Sequence, residues 1–220
     1  QVSVSDPAVP VRADGLKGNT TLLAGDSRAL NLGDVILKDQ YGRDFSGSNL
    51  PANYKVKVSK SGDAISVVDN GNQATDYAPA TIKADKKGNA TLTLSLWNTD
   101  TNKEVSNSSS PSIAIRVVDN SDVTTYDASV SGTVYDNDED YGVPLKVEGI
   151  LADGTRVAVP YNNGDNYTVL IPTASDKLEF DADNGVIYSE GGFVPNNATE
   201  AQGTVIVTVL LNNQVIPVTV

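Results

Sequence analysis

The chain has no cysteine, no histidine and no methionine in 220 residues, and a single tryptophan. Without cysteine there are no disulfides, thiolate ligands or thiol nucleophiles. Without histidine there is no imidazole base and no imidazole ligand. A sustained 3.6-residue apolar period is missing, so long helices are not expected. No apolar run approaches the roughly 20 residues that cross a bilayer. Basic residues are scarce, 16 against 28 acidic ones, for a net charge of −12. That balance excludes nucleic acid and an anionic membrane surface as partners, because both demand basic patches. Aromatics are 6 % of the chain, too few for the sugar cleft that usually accompanies paired catalytic carboxylates. No enzyme activity is expected. A charged-then-apolar leader is absent and the first residue is Gln1, so the chain is read as a piece of a longer secreted protein.

What is present is alternation. In Thr91-Leu92-Thr93-Leu94-Ser95-Leu96-Trp97 the leucines share one face, and Tyr54-Lys55-Val56-Lys57-Val58 puts valines in and lysines out. Ile113–Val118 is a third strand. Further on, Ala128–Tyr135, Val143–Ile150, Arg156–Val159, Tyr167–Ile171, Lys177–Phe180, Thr204–Leu211 and Val215–Val220 have strand character. Turn pairs punctuate them: Asn70-Gly71, Asp153-Gly154, Asn163-Gly164 and Asn184-Gly185. Short strands at this spacing predict an all-β chain of two tandem immunoglobulin-like β-sandwich domains. The polar break Asp119-Asn120-Ser121-Asp122 separates them. Domain one is placed at 15–119 and domain two at 125–220, with residues 1–14 as a linker or lead-in strand. Charge divides at the same place. Through Asp119 there are 13 basic and 13 acidic residues, and beyond it 3 and 15. Solubility alone accounts for the imbalance; cation binding or attraction to a basic neighbour are the alternatives. The expected core is Leu92, Leu94, Leu96, Ile113 and Ile115 in domain one. In domain two it is Val130, Val147, Val169, Val207 and Val209.

Three groups of residues are candidate sites. The acidic run Asp136-Asn137-Asp138-Glu139-Asp140 supplies the clustered oxygens that Ca²⁺ takes. Asp119 and Asp122 could join it and clamp an ion at the junction. The metal candidates are therefore Asp119, Asp122, Asp136, Asp138, Glu139 and Asp140, with Ca²⁺ as the cofactor expectation against a plain solvated loop. Asp181-Ala182-Asp183-Asn184-Gly185 has calcium-loop flavour but lacks the remaining ligands, and fits an Asn-Gly turn equally well. Trp97 falls on the outer face of its strand, open to a sugar or protein contact unless the 98–111 loop covers it. Lys55 and Lys57, with Lys60, Lys83, Lys86 and Lys87, are candidates for contact with an acidic neighbour. They equally suit an edge protected against strand pairing.

One stretch carries a resemblance. Val35-Ile36-Leu37-Lys38-Asp39-Gln40-Tyr41-Gly42-Arg43, following Leu30-Asn31-Leu32, resembles the strand-and-turn signature of bacterial surface-layer (S-layer) proteins. Val147–Pro160 resembles the Ig-like repeats of Gram-positive cell-surface proteins. The resemblance implies a structural segment on the bacterial surface that assembles with copies of itself into a two-dimensional lattice. Contact with cell-wall polysaccharide would lie in other parts of the parent chain. The alternative is an Ig-like stalk, or a polysaccharide-binding accessory module, of a wall-associated adhesin or enzyme. In physical terms Lys38–Gly42 is a strand end and turn. Gly42 is suited to positive φ, and Tyr41 is expected to bury its ring with its hydroxyl paired.

Overall fold

The computed structural model describes residues 6–69, 72–105, 110–134, 142–172, 178–189 and 203–220. It divides into two compact units, residues 1–119 and 120–220. Both are all-β, and the described helical segments are three-residue 3-10 turns.

Unit 1 carries strands β1 (Pro10–Leu16), β2 (Thr21–Leu23), β3 (Ser27–Leu30), β4 (Val35–Asp39), β5 (Asp44–Phe45), β6 (Tyr54–Ser61), β7 (Ile65–Val68), β8 (Ala80–Ala84), β9 (Gly88–Asn98), β10 (Lys103–Glu104) and β11 (Ser112–Val118). They form sheets in the orders β1-β4-β5, β3-β8-β7 and β10-β9-β11-β2, with β6 along the other edge of β9. β9 is the spine because its alternation is unbroken. Leu92, Leu94 and Leu96 are fully buried, while Thr91, Thr93 and Ser95 are only half-buried. Val56 and Val58 of β6, Leu37 of β4, Leu30 of β3, Ile82 of β8 and Ile65 of β7 close over Leu92 and Leu94 in one cluster, so the sheets pack as a sandwich. Ile115 is buried, and Ile113 packs half-exposed on the rim of that cluster. β11 runs antiparallel to β9 but parallel to β2, pairing Arg116, Val117 and Val118 with Thr21, Leu22 and Leu23.

Unit 2 carries β12 (Val123–Val130), β13 (Val143–Leu151), β14 (Arg156–Ala158), β15 (Tyr167–Leu170), β16 (Leu178–Asp181), β17 (Val186–Ser189), β18 (Thr204–Val209) and β19 (Gln214–Thr219). The sheets are β12-β13-β17-β16, with β14 on β13, and β15-β18-β19. Val147, Val207 and Val209 are buried as expected. Val130 and Val169 are only half-buried, which corrects the expected core. Val130 is the last paired residue of β12, and β15, which holds Val169, is an edge strand with a single neighbour. β12 also starts at Val123, five residues before the expected Ala128, because the polar Thr-Thr-Tyr-Asp sequence still pairs with β13. Gln214 fastens β19 to β12. Its amide accepts the N–H of Tyr126 at 3.0 Å and donates to the Tyr126 carbonyl at 2.8 Å, as a neighbouring strand would.

Candidate functional site

In β4, Val35, Leu37 and Asp39 point inward, so alternation carries a carboxylate into the sandwich. Asp39 is 3 % exposed. A buried charge is costly unless partnered, and Asp39 is fully partnered by its own turn. Its Oδ1 accepts the N–H groups of Tyr41 at 2.9 Å and Arg43 at 2.8 Å. Its Oδ2 accepts Nε and Nη2 of Arg43, both at 2.9 Å. Burial works to raise the Asp39 carboxyl, but the Arg43 and Tyr41 donors outweigh it and hold it below the ordinary 3.8. The main chain closes the turn from Gly42 N–H to the Asp39 carbonyl at 2.9 Å, with Gly42 at φ +77°. Lys38 points outward and pairs with Asp44 at 2.7 Å. That exposed pair, chiefly its hydrogen bond, lowers the Asp44 carboxyl.

The Tyr41 expectation needs correction. Its ring is 46 % exposed, not buried, and lies under the Arg43 guanidinium at 4.7 Å. The hydroxyl is paired, donating to the Asp6 carbonyl at 3.2 Å. Gln40 stands within the signature stretch with no role evident from sequence, yet its amide accepts the Val9 N–H at 2.7 Å and donates to the Pro7 carbonyl at 2.8 Å. No local pattern signals this partner, more than 30 residues away in the chain.

Trp97 and Lys57 come together: the Lys57 ammonium sits 5.0 Å from the indole centroid. Lys55 lies across from Trp97 in register but sends its ammonium over Tyr77, at 5.2 Å. β10 returns along the end of β9 and sets Glu104 beside Trp97, leaving the indole half-buried. Other lysines are engaged within the unit. Lys86 pairs with Asp63, Lys87 with Asp119 at 3.2 Å, and Lys60 donates to the Gly62 carbonyl at 2.9 Å.

Of the acidic candidates, Asp119 follows β11 and takes the Lys87 contact, and Asp122 ends the 3-10 turn Asn120–Asp122. Asp136, Asp138, Glu139 and Asp140 lie outside the described residues. Among the described residues no three acidic side chains converge in a metal-binding group. Asp181 forms a turn: its carboxylate accepts N–H groups of Asp183 at 2.8 Å and Asn184 at 3.1 Å, and Gly185 follows at φ +67°. On unit 2, Arg156 bridges Asp127 at 2.8 Å and Glu148 at 2.9 Å. Partial burial pushes the Glu148 carboxyl up, but Lys146 and Arg156 outweigh it and lower it overall.

No protein-family model matches the chain, and no curated protein does. Solved structures similar to it include domains 5–6 of the S-layer protein SbsC, at 20 % identity over 96 % of this chain and 97 % of that one, with a TM-score of 0.40. Domains 1–6 of SbsC match at 18 % identity over the whole chain and 26 % of that one, with a TM-score of 0.45. The first two domains of chicken VE-cadherin match at 12 % identity over 94 % and 98 %, with a TM-score of 0.28.

Proposed function

We propose that this chain is a structural segment of a bacterial cell-surface protein, in which two Ig-like sandwiches contribute lateral contacts to a self-assembled two-dimensional layer. One observation carries it. The Lys38–Arg43 stretch, the part of the sequence with the most specific resemblance, is committed to architecture. Asp39 and Arg43 build the turn, Lys38 pairs along the hairpin, and Gln40 and Tyr41 hold main chain. The unequal charge of the halves supplies the polarity for contact between copies, with the neutral, lysine-bearing half meeting the acidic half of a neighbour. Ca²⁺ enters through the 136–140 run, as an ion that relieves self-repulsion in the acidic half.

Negative-stain electron microscopy of the chain and of its parent protein, with and without CaCl₂, tests this. Periodic sheets are expected, more extensive with Ca²⁺ than with NaCl of equal ionic strength. Asp138→Asn with Asp140→Asn should remove the calcium increment. A monomer at every concentration, in both chain and parent, would overturn lattice formation and favour a stalk.

A further inference from the structure

The β1–β4 ladder runs out at the pair Pro10↔Asp39, where β4 turns away at Gln40. The chain before Pro10 does not lose its partner there. The Gln40 amide takes over, bonding the Val9 N–H and the Pro7 carbonyl at 2.7 and 2.8 Å, and Tyr41 reaches the Asp6 carbonyl. We propose that Gln40 and Tyr41 form a main-chain clamp, a docking site for an extended segment, filled by residues 6–9 and fixing the path by which the chain enters unit 1.

Three features define what the clamp reads. All three bonds go to backbone atoms, while Asp6, Pro7, Ala8 and Val9 are exposed, Val9 at 42 %. Recognition is therefore of an extended backbone and tolerates changes in its side chains. The segment is also prepared for docking. Asp6 and Val9 each precede a proline, which biases them to extended conformations and lowers the entropy lost on binding. The receiving side chains are prepared too. Asp39 fixes the turn through two backbone N–H groups and the Arg43 guanidinium, and that guanidinium lies over the Tyr41 ring. Asp39 and Arg43 are thus positioning residues for Gln40 and Tyr41. This deepens the structural reading above, but the clamp itself does not depend on lattice formation.

Amide hydrogen exchange of the whole 220-residue chain, followed residue by residue by NMR, tests the clamp. The Val9 amide should be protected relative to an open chain. Gln40→Ala removes both amide bonds and should speed Val9 exchange on the order of tenfold, with Val117 unchanged as the control for an intact unit. Gln40→Glu keeps the acceptor for Val9 but sets an oxygen against the Pro7 carbonyl, and should give protection between that of the unmodified chain and that of Gln40→Ala. Ala8→Ser and Val9→Thr should leave exchange within about twofold, as expected if only backbone is read. The clamp is refuted if Val9 exchanges at the open-chain rate in the unmodified protein, or if Gln40→Ala leaves it protected. A Val9→Thr effect as large as that of Gln40→Ala would equally refute backbone reading. Failure to form sheets would not alter these rates, so the two ideas fail separately.

Discussion

Replacing Gly47 by alanine places a methyl carbon where main chain already lies. A Cβ there would stand 2.0 Å from the Leu32 carbonyl oxygen and 2.5 Å from its carbon. Ordinary contacts between carbon and oxygen are near 3.3 Å or longer, so the 3-10 turns Leu32–Asp34 and Gly47–Asn49 must part by more than about 1 Å. Neither yields easily. Asp34 is tied to Asn31 and, through its carbonyl, to the Lys17 N–H at 2.8 Å, and the turn leads directly into buried Val35 and Leu37. Overpacking by one methyl group in a well-packed site costs about 1–3 kcal/mol where side chains can adjust. With backbone on both sides, about 3 kcal/mol or more is expected. Two neighbours calibrate the result. Gly33 has nothing within 4 Å of its Cβ position and no positive φ, so Gly33→Ala should lie between neutral and about 1 kcal/mol stabilising. Gly42 is equally open but sits at φ +77°, so Gly42→Ala should cost about 1–2 kcal/mol of backbone strain. Urea denaturation followed by tryptophan fluorescence reads unit 1 alone, because Trp97 is the only tryptophan. A Gly47→Ala cost below about 1 kcal/mol, or below that of Gly42→Ala, would refute the close approach of the two turns.

Leu94→Ala removes a fully buried side chain opposite Val58 and should cost about 2–5 kcal/mol by the same fluorescence assay. Gln214→Ala strips two bonds from Tyr126 and should destabilise unit 2 by about 1–3 kcal/mol, read by near-UV circular dichroism of its tyrosines. The Asp39 carboxyl is lowered in the folded state. Its contribution is therefore present above the ordinary value of 3.8 and is lost as pH falls through the lower folded value. Urea midpoints of unit 1 should fall on acidification from pH 5 towards pH 2, and less in Asp39→Asn than in the unmodified chain.

Strand content was legible wherever both faces kept their character. β9 alternates leucine with threonine or serine from Thr91 to Leu96, and its buried set follows directly. The start of β12 is not legible in the sequence because Val123–Asp127 is mostly polar, and only Tyr126 is buried among those residues. Asp39 falls on the same alternating face as Val35 and Leu37, so its burial is encoded in the strand pattern, whereas Tyr41 lies past the strand end, where alternation no longer sets a face. The clamp was not legible. Gln40 and Gln214 act through side-chain amides on backbone 31–33 and 88 residues away, and spacing in sequence carries no trace of such pairs. Lys57 and Trp97 lie on facing strands, but that meeting depends on the β6–β9 register, which alternation alone leaves free.

The parallel pairing of β2 with β11 has a consequence for how unit 1 resists force. β2 is the second strand of the unit, after β1, and β11 is its last. The Arg116 N–H bonds the Thr20 carbonyl and the Ala24 N–H bonds the Val118 carbonyl, at 2.9 and 2.8 Å. Tension reaching Thr20 from one side and Val118 from the other draws two parallel strands past each other along their length. The bonds between them are loaded together in shear, where an antiparallel hairpin pulled at its open end would release them one at a time. Resistance to stretching is set by the barrier to unfolding more than by equilibrium stability. Tension from the N-terminal side meets the β1–β4 ladder first, so this short parallel pair forms a second barrier, loaded once β1 has been drawn off β4.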